Sequence, residues 1–135
     1  TDNIIVNNKF KSNNYRGSTP FYQLKNNYWC SILHKRINIS KKNFNYNYIF
    51  VLYDSKLINV NENQFEIPNE CIYEYDLDDI INNTFDSDFI YITGLIIIDE
   101  LMHNNLLNLN LLISYGISDN KSGISLIKLN NIVYK

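Results

Sequence analysis

The chain has 135 residues, of which 45% are hydrophobic, 14% aromatic and 19% charged, with a formal net charge of −2 and a sequence pI near 5.6. This length is enough for one domain whose core needs no disulfide or metal support. The hydrophobic content excludes a chain disordered for lack of apolar residues. The acidic balance argues against nucleic-acid binding through a basic surface as a whole, but it leaves room for a local basic patch.

Alanine is absent from the chain, whereas asparagine occurs 24 times and isoleucine 21 times, and only two of the twelve basic residues are arginine. The codons of the enriched residues are AT-rich, so the skew indicates a strongly AT-biased genome, such as that of a virus or an intracellular parasite. Its physical consequence is a local preference for strands and turns over helices.

No apolar run approaches the roughly 18 residues that span a bilayer; the run at residues 95–98, for example, ends at Asp99. A basic-then-apolar leader is also absent, and we expect a cytoplasmic, intracellular protein; the start at Thr1 would also fit a mature secreted chain. The two cysteines, Cys30 and Cys71, lack the spacing of a metal site. They are expected to be buried free thiols, with one disulfide as the alternative.

The first half of the chain predicts short strands at 4–6 and 21–24, separated by a polar stretch, 7–19, that is typical of a mobile loop. Residues 32–39 alternate between an apolar face and a face carrying His34, Arg36 and Asn38. Residues 46–53 are apolar on both faces, which predicts a strand covered on both sides.

In the second half, residues 64–67 and 71–77 predict strands, with Cys71 facing inward beside the tyrosines, and the acidic residues near 76–81 can open one short helix. Residues 89–98 are apolar on both faces and predict a second doubly covered strand, in which Gly94 marks a bulge or a close backbone approach. Residues 97–105 fit either a helical turn or a strand.

The clearest element is 107–117, where apolar odd positions alternate with more polar even ones. A turn-rich loop at 118–123 follows, and 124–134 returns as an apolar strand, so the two form a C-terminal hairpin. Together these patterns predict a single domain over residues 1–135. It is mainly β, an antiparallel sandwich or barrel of about eight strands with at most one or two short helices.

Catalytic motifs are absent from the sequence, and its four glycines cannot form a glycine-rich phosphate loop. Cys30 and His34 would pair as nucleophile and base on a helix, but a strand separates them by about 13 Å. His103 is expected in a surface turn. We therefore predict neither catalytic residues nor a cofactor.

Carboxylates cluster in two short stretches and are weak candidates for a Ca²⁺ or Mg²⁺ site; the alternative is solvated acids at a helix start and a strand entry. The residues are Asp76, Asp78, Asp79, Asp86 and Asp88.

Aromatic and basic residues are interleaved in the first half of the chain and form a candidate interaction surface. The residues are Tyr15, Tyr22, Tyr28, Trp29, Lys35, Arg36, Tyr46 and Tyr48. The leading hypothesis is a non-catalytic interaction or assembly subunit that binds a protein partner or forms a homo-oligomer through this aromatic, Asn-rich surface. A single-stranded nucleic-acid-binding barrel of the OB type ranks second, and a small enzyme or cation-binding domain that uses the carboxylates ranks third.

Overall fold

The computed structural model describes residues 15–38, 44–54, 58–62, 64–66, 71–85, 90–104, 106–117 and 121–133. Within these ranges the chain forms ten strands and one short helix. Their bounds are β1 Arg16–Gly17, β2 Tyr22–Gln23, β3 Trp29–Asn38, β4 Phe44–Tyr53, β5 Ile58–Asn61, β6 Gln64–Glu66, β7 Tyr73–Asp76, α1 Asp78–Thr84, β8 Ile90–His103, β9 Leu106–Ile117 and β10 Lys121–Val133. The predicted strand at 4–6, most of the predicted loop at 7–19 and the first half of the turn at 118–123 lie outside the described residues.

The strands form two main antiparallel sheets. The first sheet has the order β1-β3-β4-β7, with β2 also paired to β3, and the second sheet has the order β10-β9-β8; β5 and β6 form a separate hairpin. Because residues of both sheets share one buried cluster, the fold is sandwich-like. The mainly β prediction is confirmed, and over the described ranges the sheets do not close into a barrel.

The alternation in β9 places its apolar side chains between the two sheets. Leu107, Leu109, Leu111 and Ile113 are buried, while the side chains between them are only partly buried. β9 pairs with both β8 and β10, which confirms the predicted C-terminal hairpin. The ambiguous stretch 97–105 is a strand as far as His103. The next residue, Asn104, lies in the turn and takes a φ of 52°. Asparagine tolerates this left-handed conformation better than most residues.

The main core lies between the sheets. The first sheet contributes residues such as Ile32 and Phe50, and the second contributes residues such as Ile92 and Leu111, all of them fully buried. Complete burial of one such side chain stabilises the fold by about 1.5–3 kcal/mol. The core is therefore the main source of cohesion between the sheets.

A second cluster covers the other face of the first sheet and is formed by Leu33, Ile49, Val51, Tyr53 and Cys71. β4 is thus buried on both faces, as predicted for 46–53. Cys71 is buried, but it lies in this second cluster rather than beside Tyr73, which packs against the main core, while Tyr75 is exposed.

Ser18 and Thr19 attach the start of the described chain to β3, since both backbone amides donate to the Ile32 carbonyl. The Thr19 hydroxyl accepts a hydrogen bond from the Ile32 amide at 3.0 Å and lies 3.1 Å from the Ser31 hydroxyl. Ser31 Oγ also donates to the Thr19 carbonyl at 3.0 Å. These buried polar groups satisfy one another, so Thr19, at the end of the predicted loop, is fixed to the first sheet.

The helix α1 follows β7 and packs with Ile81 inward. Its first amide, that of Asp78, donates to the Asp76 carboxylate at 2.9 Å, and Asp78 and Asp79 supply negative charge to the first turn. Acidic side chains stabilise a helix N-terminus, which is why this stretch is helical in a chain that otherwise favours strands. The prediction of a short helix near 76–81 is confirmed.

The prediction for residues 89–98 was wrong in one respect. β8 does bury Ile90, Ile92, Leu95 and Ile97, and its register shifts between Ile92 and Gly94, which confirms the predicted bulge. Its other face, however, is exposed rather than covered. The same pattern, apolar residues on both faces, thus belongs to a strand buried on both sides in β4 and to a strand with one exposed apolar face in β8.

Candidate functional site

The outer side of the second sheet carries a row of aliphatic side chains across all three strands. Ile96 of β8 is paired with Leu112 of β9, which is paired in turn with Leu126 of β10. Ile96 is 53% exposed and Leu126 47% exposed. We call these three residues, together with Ile98 and Ile124, the apolar face.

A shallow groove of about 260 Å³ runs along the apolar face beside the β8 bulge, and Pro20, Gly94, Ile96 and Ile124 contribute to its lining. A Cβ added at Gly94 would collide with the Ser114 hydroxyl unless that side chain rotated away. The small residues at this row leave a depression flanked by larger aliphatic side chains. A side chain from another molecule could enter it.

Polar residues border the apolar face. The adjacent row across the sheet consists of Asp99, Asn110 and Lys128. The Asn110 side-chain amide donates to the Asp99 carboxylate at 3.2 Å. An apolar centre with a polar rim is the usual anatomy of a protein–protein interface.

The two edges of the second sheet differ. On the β8 edge, the Tyr48 hydroxyl donates to the Ile90 carbonyl at 2.6 Å and accepts from the Ile92 amide at 3.1 Å, and the Ser18 hydroxyl donates to the Ile92 carbonyl. β10, in contrast, pairs only with β9 among the described strands. A long strand with one unpaired side offers backbone groups to another chain.

The predicted aromatic surface does not form a single surface. Tyr48 is 1% exposed and belongs to the main core, so it was wrong to place it on the surface. The remaining aromatic residues divide between the two buried clusters: Tyr15 and Trp29 pack against the second, and Tyr22, Tyr28 and Tyr46 against the main one.

Part of the predicted surface does come together at a cleft of about 520 Å³, lined by Arg16, His34, Lys35 and Arg36. We call it the basic cleft. Arg16 of β1 and His34 of β3 are directly paired across the first sheet. The cleft therefore gathers both arginines of the chain in a protein whose net charge is −2.

Two tyrosine rings lie beside His34 at the basic cleft. Its ring centroid is 5.4 Å from that of Tyr46 and 5.6 Å from that of Tyr91, and the two tyrosine rings meet edge to face at 5.2 Å. Tyr91 is 40% exposed. Aromatic rings from both sheets thus lie next to His34, which lines the cleft.

Burial lowers the pKa of His34, and the nearby positive charge of Arg16 lowers it further, while a backbone hydrogen bond involving Gly17 acts in the opposite direction. Its Nδ1 atom is buried and has no hydrogen-bond partner within the described part of the chain. The imidazole is consequently held in its neutral form beside a guanidinium.

The predicted carboxylate site is only partly described, because Asp86 and Asp88 fall outside the described residues. The Asp78 carboxylate accepts a hydrogen bond from the Tyr48 amide at 3.0 Å, and burial is the main cause of its raised pKa. Over the described ranges, no three His, Cys, Asp or Glu side chains converge on a common point. Asp76 and Asp79, like Asp78, have a local role at the start of α1.

Both cysteines are free thiols in separate buried clusters, so the disulfide alternative was wrong. Burial raises the pKa of Cys30 to about 12 and that of Cys71 to about 12. Neither thiol is activated as a nucleophile. His103 is exposed, as predicted, but it is the last residue of β8 rather than part of the turn, which begins at Asn104.

Comparisons of the chain with protein families, curated proteins and solved structures found no match. The described helix is too short to span a membrane.

Sequence reasoning missed the apolar face, Arg16 and Tyr91. The sequence did carry a signal for the apolar face, because residues 89–98 are apolar on both faces. That pattern, however, predicted a strand buried on both sides. Arg16 and Tyr91 gave no local signal, because their proximity to His34 depends on how the two sheets pack.

Proposed function

We propose that the protein is a non-catalytic interaction or assembly subunit that binds a protein partner through the apolar face. The observation that carries this proposal is the Ile96–Leu112–Leu126 row, which crosses three paired strands while its outer members remain about half exposed. Exposure of contiguous aliphatic side chains on a sheet is unfavourable in water unless another surface covers them.

The extent of this surface supports the same function. Six large aliphatic or thioether side chains of the second sheet are about half exposed or more, namely Ile96, Ile98, Leu101, Met102, Ile124 and Leu126. Four of them belong to the apolar face, whereas Leu101 lies beyond the polar row and Met102 is paired with buried Leu107, so these two extend the exposed apolar surface toward the β8–β9 turn.

A second copy of the chain is the partner that the geometry of β10 favours. If two β10 strands paired antiparallel about Ser125, Ile124 of each copy would lie opposite Leu126 of the other. The second sheets would then become one six-stranded sheet with a continuous apolar stripe.

The proposal is tested by the native mass of the protein measured by sedimentation equilibrium over about 1–100 μM. The wild type is expected to form a dimer that Ile124→Lys and Leu126→Lys dissociate. The control Asn130→Lys introduces the same charge at an exposed position of the same strand and should leave the dimer intact. Circular dichroism would verify that all variants remain folded.

A monomeric wild type would point to a different protein as the partner. In that case a photo-crosslinking residue at position 126, placed in the protein in its native source, should capture one protein that a crosslinker at position 130 does not. A monomer that yields no such selective product would contradict the proposed function.

The nucleic-acid alternative is not supported in its predicted form, because over the described strands the two sheets stay open rather than forming an OB-type barrel. The cytoplasmic location and the AT-biased viral or parasitic origin remain predictions from composition.

A further inference from the structure

The basic cleft lies on the first sheet, away from the apolar face, and the proposed protein docking does not use it. It has a volume of about 520 Å³ and is lined by Arg16, His34, Lys35 and Arg36. Ligand sites for small molecules commonly enclose roughly 300–1,000 Å³. The cleft is therefore large enough for one small ligand or for one unit of a polymer.

The charge of the cleft indicates an anionic ligand. Arg16 and His34 are paired across β1 and β3, and the guanidinium already disfavours a positive charge on the imidazole. Arg36 follows His34 by two residues on the same strand, so the two side chains share a face. An anion placed beside the two guanidinium groups would offset their positive charge, and guanidinium groups bind phosphate oxygens through paired hydrogen bonds.

A hydrogen-bonding atom at the cleft has no partner. His34 Nδ1 is buried without a hydrogen bond among the described residues, a state that usually costs about 1–3 kcal/mol unless a ligand or water satisfies it. This observation is independent of the charge count. It leaves one polar atom of a lining residue unsatisfied by the described part of the chain.

The neighbouring rings add a second type of contact. Tyr91 is 40% exposed and lies 5.6 Å from His34 and 5.2 Å from Tyr46 between ring centroids. A planar base can stack on an exposed tyrosine, and base–aromatic stacking is worth about 1–3 kcal/mol. Phosphate-binding cations beside a stacking ring are the combination that a nucleotide requires.

We propose that the basic cleft binds a nucleotide, with the phosphate held by Arg16 and Arg36 and the base placed against Tyr91. The nucleotide is either free or one unit of a single strand, since both present a phosphate next to a base. Binding through side chains is consistent with a chain that has only four glycines and no glycine-rich phosphate loop.

The test uses the full chain and three probes: a fluorescently labelled single-stranded octanucleotide followed by anisotropy, adenosine monophosphate followed by calorimetry, and inorganic phosphate. Binding of the octanucleotide should weaken about tenfold between 50 and 200 mM salt, as expected for two or three phosphate contacts. The double variant Arg16→Gln/Arg36→Gln should weaken nucleotide binding at least tenfold. Tyr91→Leu should weaken binding of the octanucleotide or the monophosphate, whereas binding of inorganic phosphate should not change.

The matched control is Lys121→Gln/Lys128→Gln, which removes the same charge from exposed positions of β10 and should bind like the wild type. Tight binding of the octanucleotide alone would assign the site to single strands, and equal binding of the monophosphate would assign it to free nucleotides; either supports the proposal. The proposal would be overturned if neither nucleotide probe bound, if the control variant lost as much nucleotide binding as the double arginine variant, or if phosphate bound as tightly as the nucleotides. Melting temperatures of all variants would separate loss of binding from loss of folding.

Discussion

The Tyr48 hydroxyl accepts a hydrogen bond from the Ile92 amide at 3.1 Å and joins the first sheet to the edge strand of the second. The same oxygen donates to the Ile90 carbonyl at 2.6 Å. One side chain thus satisfies two backbone groups that would otherwise be unpaired at a buried strand edge. Burial raises the pKa of Tyr48, so the hydroxyl remains protonated and can donate.

We predict that Tyr48→Phe destabilises the protein by about 1–3 kcal/mol, because the ring would remain in the core while the Ile90 carbonyl and the Ile92 amide lose their partner. Urea unfolding monitored by circular dichroism would measure the loss. Tyr75→Phe removes the hydroxyl of an exposed tyrosine and is the control, with an expected change below about 0.5 kcal/mol. Equal stability of Tyr48→Phe and the wild type would show that this hydroxyl does not hold β8.

The strands were predictable where one face is buried and the other is polar. Along β9 the buried residues Leu107, Leu109 and Leu111 alternate with Asn108 and Asn110, and this pattern fixes both the element and its inward face. The local pattern fails for β8 because apolar residues on both faces predict the same strand whether the second face is covered by the protein or left exposed.

The candidate sites were less predictable for a different reason. His34 and Arg36 are neighbours on β3, so their shared face follows from alternation. Arg16 and Tyr91 reach the same cleft only because β1 pairs with β3 and the second sheet packs onto the first. Such contacts depend on tertiary packing, for which a single sequence offers no local signal.

The two faces of the second sheet should respond differently to the same truncation. Leu111 is fully buried, and Leu111→Ala is expected to cost about 2–5 kcal/mol because it leaves a cavity between the sheets. Leu126 is 47% exposed, and Leu126→Ala should cost less than about 1 kcal/mol at protein concentrations where the chain is monomeric. Denaturant midpoints with equal m-values would establish the difference, whereas equal costs would mean that the apolar face is covered in the isolated chain.

His34 should titrate below its ordinary pKa of 6.5, mainly because it is partly buried and in addition because Arg16 is close. The folded protein therefore binds fewer protons than the unfolded chain below about pH 6.5, and this residue lowers stability as the pH falls through that value. Histidine ring resonances followed by NMR as a function of pH would measure the pKa of His34.

Arg16→Gln should raise the pKa of His34 toward 6.5, because it removes the nearby positive charge and leaves the burial of the ring. Lys128→Gln removes a charge on β10 and should have no such effect. A His34 pKa that does not respond to Arg16→Gln would contradict the proximity of the two charges at the basic cleft.

The thiols of Cys30 and Cys71 should react slowly with a thiol reagent at pH 8, because both are buried and burial raises each pKa to about 12. Labelling of the native protein by an aromatic disulfide reagent should therefore proceed at the rate of local or global opening rather than at the rate of an exposed thiol. In denaturant, two thiols should be titrated at once without any reductant. Rapid labelling of one thiol in the native state would place that cysteine at the surface, and a count below two in denaturant would contradict the free-thiol assignment.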